Sequence, residues 1–185
     1  MGKPLAPKPV KLFLGMISRD PALFDECSRL FAREYGSVDI ASSTMPWDHS
    51  AYYRKEMGTG LLRMFLFFER IADPETLVAA KHHAIRIETS FAEPSLSGIR
   101  RTINLDPGYL TEAKVVLATT KDFPHRIYLG NHIYAESTLH YHKDSRSFQP
   151  VEHTYPDFRT ETSLDLFNKA RDLLRSALKA QEKER

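Results

Sequence analysis

Twice in the first half of the chain, a strand-length apolar run is followed by Asp-Pro and then by apolar residues at helical spacing. The first run covers residues 10–17 and precedes Asp20-Pro21; the second covers residues 60–71 and precedes Asp73-Pro74. Aspartate before proline is a strong helix start. The carboxylate caps the first free N–H groups, and the fixed φ of proline already suits the opening turn. After the first start, Leu23, Cys27, Leu30 and Phe31 form one stripe and Gly36 closes it. After the second, Leu77, Ala80, Ala84, Ile87 and Phe91 step by 3, 4, 3 and 4. A strand over residues 37–45 and another over 99–105 complete the order β-α-β-β-α-β. That order predicts an α+β fold with a ferredoxin-like βαββαβ unit.

Further along, Thr111 is expected to cap a short helix containing Ala113, Val116, Leu117 and Ala118. A β-hairpin follows over residues 125–142, and residues 148–155 read as an extended piece. Thr162-Ser163-Leu164-Asp165 resembles a capping box opening a C-terminal helix through Leu164, Phe167, Arg171, Leu174 and Leu178. No linker or repeat interrupts this pattern. The expected organisation is a flexible tail over residues 1–9, one domain over 10–178 and a frayed tail over 179–185.

Bulk properties exclude several roles. With 26 basic and 24 acidic residues the net charge is +2, so no global field calls for a polyanion and the nucleic-acid signal is weak. The longest apolar runs are strand-length, which predicts no membrane span. Pro4, Pro7 and Pro9 break the start of the chain, against a signal peptide. The single Cys27 falls on the apolar stripe, so it reads as a core residue and the setting as reduced and cytoplasmic. The signatures GxxxxGK[ST], GxGxxG, HExxH, GxSxG and paired CxxC are absent from the sequence.

Polar and aromatic residues concentrate in the stretch from Asn104 to Asp157. Asn104-Leu105-Asp106-Pro107-Gly108-Tyr109-Leu110 reads as a strand end with a Pro-Gly turn entering a helix. Strand alternation puts Asn104 and Asp106 on one side, and a helix N-terminus beside them would suit an anion. Tyr109 adjoins this turn, Lys114 would lie one turn into the helix, and Lys121 just past it. In the hairpin, a two-residue Gly130-Asn131 turn and a three-residue Gly130-Asn131-His132 loop give different pairings. The three-residue loop is preferred, because it gathers Ile127, Leu129, Ile133, Ala135 and Leu139 on one buried face. Arg126 then faces Glu136 and Tyr128 faces Tyr134, with His140 and His142 continuing that polar face. His140-Tyr141-His142 puts two imidazoles together, but no further ligands stand at a diagnostic spacing, so no metal is expected.

KPVKLFLGMIS, Asp48 with Tyr52-Tyr53 and Glu56-Met57-Gly58, NLDPGYL, KDFPHRIYLG, YAESTL and TYPDF occur in this order along the chain. In that they resemble the DUF4416 family of bacterial proteins. The resemblance runs from Lys8 to the last helix and implies no reaction, substrate, cofactor or residue role.

The residues themselves therefore define the expectation. It is a protein binding a small anionic or nucleotide-like ligand, with enzymatic activity open and the cofactor unknown. Asn104, Asp106, Tyr109, Lys114, Lys121, Arg126, Tyr128, Tyr134, Glu136 and His140 are the candidates. Arg and Lys would hold negative charge, Glu136 or Asp106 would act as base or orienter, and the tyrosines would stack or donate. The rival is a non-catalytic scaffold whose exposed strand edge pairs in a homo-oligomer.

Overall fold

The computed structural model describes residues 2–49, 51–95 and 98–183. Its elements are, in chain order, β1 (Val10–Ser18), α1 (Pro21–Tyr35), β2 (Val38–Ala41), β3 (Met45–Trp47), α2 (Ala51–Met57), β4 (Leu61–Ala72), α3 (Thr76–Ser90), β5 (Glu93–Ser95), β6 (Gly98–Arg100), β7 (Ile103–Leu110), β8 (Lys114–Thr119), β9 (Ile127–Gly130), β10 (Ile133–His142), β11 (Ser147–Pro150), a 3-10 turn (Pro156–Phe158) and α4 (Glu161–Lys183). The main sheet is antiparallel and runs β11-β10-β8-β7-β1-β4-β2, with β3 added to β4 and β9 added to β10.

Alternation along the central strands builds a core on each face. Leu12, Leu14 and Met16 of β1 join Leu66 and Phe68 of β4 against Phe24, Cys27 and Phe31 of α1 and Ala80, Ala84 and Ile87 of α3. Phe13, Phe65 and Phe67 point the other way, against Phe167, Ala170, Leu174 and Leu178 of α4. The mixed α+β class is as expected. Asp20 caps α1 by accepting from Ala22 N at 2.9 Å. Cys27 is fully buried, and burial pushes its thiol up to about 12. Among the described residues no helix is long and apolar enough to cross a membrane.

Several expectations need correction. The stretch after Thr111 is strand β8, not a short helix. Its Val115-Val116 pair is β-branched, and it lies between β7 and β10 with partners on both sides. Pro107-Gly108 is not a turn but the middle of β7, opposite Leu14 and Phe13 of β1. A Cβ at Gly108 would collide with the Phe13 ring and the Val116 carbonyl, so glycine there serves close strand packing. The real turn is Thr111-Glu112-Ala113, where Thr111 Oγ1 accepts from Ala113 N and Lys114 N, both at 3.0 Å.

The hairpin turns on Asn131-His132, both at positive φ (50° and 61°), with Gly130 opposite Ile133 and Leu129 bulged out. The bulge restores the expected pairs Tyr128–Tyr134 and Ile127–Ala135. It does not bury β9: Ile127 and Leu129 stay exposed on this short edge strand. Between β3 and β4 stands the short helix α2. The fourth strand starts at Ile103, and the last helix continues to Lys183; residues 184–185 of the expected frayed tail lie outside the described residues. Its cap is Thr160, whose hydroxyl accepts from Ser163 N at 3.2 Å, not Thr162.

Candidate functional site

The site begins with a split in the sheet. β7 pairs with β8 only from Gly108↔Leu117 to Leu110↔Val115, and the ladder stops at Pro107. In an antiparallel strand, residues two apart send their backbone groups the same way. Leu105 directs its N–H and C=O away from β1, so Pro107 faces β8 with no N–H to give. Below that point the strands part, and α3 satisfies the freed backbone. Leu105 N donates to Glu88 Oε1 at 2.5 Å, and Lys81 Nζ donates to Leu105 O at 2.8 Å. Lys81 and Glu88 stand two turns apart on α3, on the flank beside its apolar stripe.

The opening is a cleft of about 110 Å³. Asn104 and Asp106 form one wall, Ala118, Thr119, Thr120 and Lys121 another, and Trp47, Tyr53, Tyr155 and Phe158 supply aromatic surface. Its charges are Arg63, Lys81, Arg101 and Lys121 against Glu88, Asp106, Glu136 and Asp157.

Most of these groups are tied into two networks. In the first, Asn104 Nδ2 donates to Asp106 Oδ2 at 2.5 Å, while Asn104 Oδ1 accepts from Arg101 at 2.6 Å and Tyr53 OH at 3.2 Å. Lys81 Nζ lies 3.3 Å from Asp106 Oδ1, and Arg63 Nη1 lies 3.8 Å from Oδ2. Burial alone would raise the Asp106 carboxyl, but Lys81 and then Arg63 outweigh it and hold it below the ordinary carboxylate range. Glu88 goes the other way, because burial pushes its carboxyl up against the opposing pull of Lys81. Arg63 itself is buried on β4, packed against Gly15, with its guanidinium carbon 4.4 Å from the Phe65 ring centroid. Its Nε sits 3.0 Å from Asp157 Oδ2, close enough for an ion pair but not aligned as a hydrogen bond.

The second network centres on Glu136, whose side chain is 4% exposed. Its Oε2 accepts from Arg126 Nε at 2.9 Å and meets His125 Nε2 at 2.8 Å. Arg126 also donates to Thr119 Oγ1 (3.3 Å), Lys121 O (3.0 Å) and Tyr155 OH (3.0 Å). The Tyr155 hydroxyl is pushed up by burial and by Glu136.

Asn104, Asp106, Lys121 and Glu136 therefore line one cleft, and Arg126 holds Glu136 from behind. The other candidates lie elsewhere. Tyr109 is on the α1/α3 face of β7, among core residues. Lys114 starts β8 at the far end of the strand and is exposed. Tyr128 and Tyr134 pack on each other at 5.1 Å in the outer hairpin. His140 and His142 are exposed, and His140 bonds Ser137 at 2.9 Å. Among the described residues, no group of three or more His, Cys, Asp or Glu is placed to hold a metal ion.

Arg63, Lys81, Glu88 and Arg101 did not emerge as candidates from the sequence. One signal was available for Arg63, the only charge inside the apolar run LLRMFLFF. Another was the second stripe on α3, where Leu77, Lys81, Ala84 and Glu88 also step by 4, 3 and 4. Trp47, the single tryptophan, is buried in the cleft wall, and its indole N–H has no acceptor among the described residues.

A family model described as a domain of unknown function (DUF4416) matches residues 8–173. No curated protein and no solved structure matches the chain.

Proposed function

The chain belongs to the DUF4416 family, and we propose from its own geometry that the cleft binds a small molecule carrying an anionic, hydrogen-bond-accepting group. One observation carries the reading: in the cleft walls the buried Trp47 Nε1–H has no acceptor among the described residues, and the buried Arg63 Nε–H has only an unaligned ion-pair contact with Asp157. A buried donor left unpaired costs about 1–3 kcal/mol, so an occupant that offers an acceptor to the Trp47 N–H, and strengthens the ion-paired Arg63 beside it, is favoured. Four cations face four carboxylates in its walls, and burial works against the charge on Glu88. The rings of Trp47, Tyr53 and Tyr155 suit a flat group attached to the anion, which is the sense in which the ligand is nucleotide-like. Glu136, with both of its contacts on Oε2, keeps Oε1 for a ligand proton, so proton transfer is open to this site.

Two finer readings belong to the same proposal. The order β7-β1-β4-β2, with α1 and α3 against one face, supports a ferredoxin-like βαββαβ core. The lone buried thiol fits a reduced, cytoplasmic setting. The binding test uses Trp47 as a built-in reporter. Titration with inorganic phosphate, pyrophosphate and nucleoside monophosphates is expected to give a saturable fluorescence change and a raised melting temperature with at least one probe. A flat response to all of them, in both readouts, favours the scaffold reading instead.

A further inference from the structure

Two stretches close the cleft on its β8 side. One is the strap of residues 120–126, which carries Lys121 into the wall. The other is the loop of residues 151–159, which carries Tyr155, Asp157 and Phe158. The second is well held at its base. Thr154 Oγ1 donates to Thr138 O, Arg159 donates to the carbonyls of Val151, Glu152 and Thr154 at 2.8 Å each, and Phe158 is sunk in the aromatic core. Contact between the two stretches rests on fewer groups. Arg126 reaches Tyr155 OH, and the imidazoles of His125 and His153 stack face to face at 4.0 Å and 14°. The Phe123 ring lies nearly parallel to His125, at 6.1 Å and 9°.

We propose that the His125–His153 stack is a proton-sensitive latch that holds strap and loop together over the cleft. The argument turns on counting charges around the two rings. On the His125 side stand Glu136, 2.8 Å away, and Arg126, which shares the same carboxylate oxygen. On the His153 side stand Glu152, 4.0 Å from Nε2 and largely exposed, and the Tyr155 phenol two residues on. With both imidazoles protonated, two parallel cations stand about 4 Å apart beside the fixed charge of Arg126, with Glu136, already shared with Arg126, on one side and only the solvated Glu152 on the other. Like charges so placed repel, and imidazoles take up protons across the interval from about pH 8 to about pH 5. His153 is half exposed, so protons reach it directly from water. The latch is closed at the alkaline end and released at the acid end, opening the cleft from the Tyr155 side. This device does not depend on what the cleft binds.

Access of acrylamide to Trp47 tests it without any ligand. His49 packs edge-on to the indole at 5.9 Å and could change its emission on titration, so the full chain is studied with the exposed His49 replaced, His49→Gln. The Stern–Volmer constant is expected to rise about twofold or more from about pH 8 to about pH 5, while far-ultraviolet circular dichroism stays constant. His153→Phe keeps a flat ring on His125 but cannot take a proton, so its quenching is expected to stay low throughout. His153→Ala removes the stack and is expected to show high access at both ends. A pH-independent constant in the parent, or a His153→Phe variant that titrates as the parent does, overturns the latch.

Discussion

On the α4 face, β4 carries two regions two residues apart that solve opposite problems. Phe65 and Phe67 enter an aromatic cluster in which Phe13–Phe167, Phe65–Phe158 and Phe67–Phe167 meet edge to face at 5.1–5.2 Å. Arg63, one step along the same face, enters the charged cleft. The cluster is complete in itself, since α4 covers it and its rings need no partner beyond one another. Among the described residues the cleft wall leaves the Trp47 N–H without an acceptor and Arg63 Nε in an unaligned ion pair with Asp157, and the cleft opens where β7 and β8 separate. The two regions touch through Phe65 and Phe158, which receive the Arg63 guanidinium at 4.4 and 5.3 Å from their ring centroids. A rigid apolar block thus fixes the position of a buried cation, the arrangement that a preorganised site requires.

The largest expected effect tests the apolar half alone. Phe167→Ala empties the centre of the cluster and should lower unfolding free energy by about 3–5 kcal/mol in urea melts. Ligand affinity per folded molecule should hardly change. If affinity collapses with stability, the two regions are not separable. Next comes Arg63→Met, which keeps bulk but strands Asp157 and Asp106. A loss of about 1–3 kcal/mol is expected, together with loss of the Trp47 response to anions. Adding Asp157→Asn should recover part of the stability and none of the binding, a non-additivity that a double-mutant cycle measures directly.

The contrast also explains what the sequence revealed. The apolar half is periodic, so Phe65, Phe67, Phe167 and Leu174 were placed in strands and a helix by spacing alone. Half of the cleft was equally legible: Asn104 with Asp106, and Arg126 with Glu136, are neighbours through strand geometry. The other half was hidden, because Lys81 and Glu88 reach the site from a helix some 20 positions away in sequence and meet it only where the sheet splits. That split depends on Pro107 inside a strand, which in isolation signals a turn. Misreading it as a turn displaced Lys114 into the site and turned β8 into a helix.

Glu88→Gln probes the electrostatics with a smaller effect. Burial raises the folded-state pKa of Glu88, so its ionisation costs stability that is lost as pH rises through that folded value. Glutamine keeps the acceptor for Leu105 N and removes the ionisation, so the variant should be more stable than the parent near neutral pH and equal to it in acid. Asp106 has the opposite sign: its folded pKa is depressed, so its stabilisation is present above the ordinary carboxylate range and lost as pH falls through the folded value. Asp106→Asn should therefore lose stability near neutral pH and flatten the acid limb. Urea midpoints measured across the pH range read both effects, and matching signs for the two variants would contradict the assignment.

The smallest effect separates binding from folding most cleanly. Lys121 is exposed at the edge of the cleft, on the strap rather than in the sheet, and its backbone carbonyl rather than its side chain serves Arg126. Lys121→Ala should leave stability within about 0.5 kcal/mol of the parent. An exposed point charge is worth up to about 1 kcal/mol, so anion affinity should fall about two- to fivefold at low salt, with the difference fading as salt rises. Arg63, buried and held against Phe65, should keep its contribution at high salt, because buried charges are screened far less. A salt-independent loss at Lys121 would move that side chain from the edge to the floor of the cleft. No loss at any salt would restrict ligand contact to Arg63, Lys81 and Arg101, on the side of the cleft away from the strap.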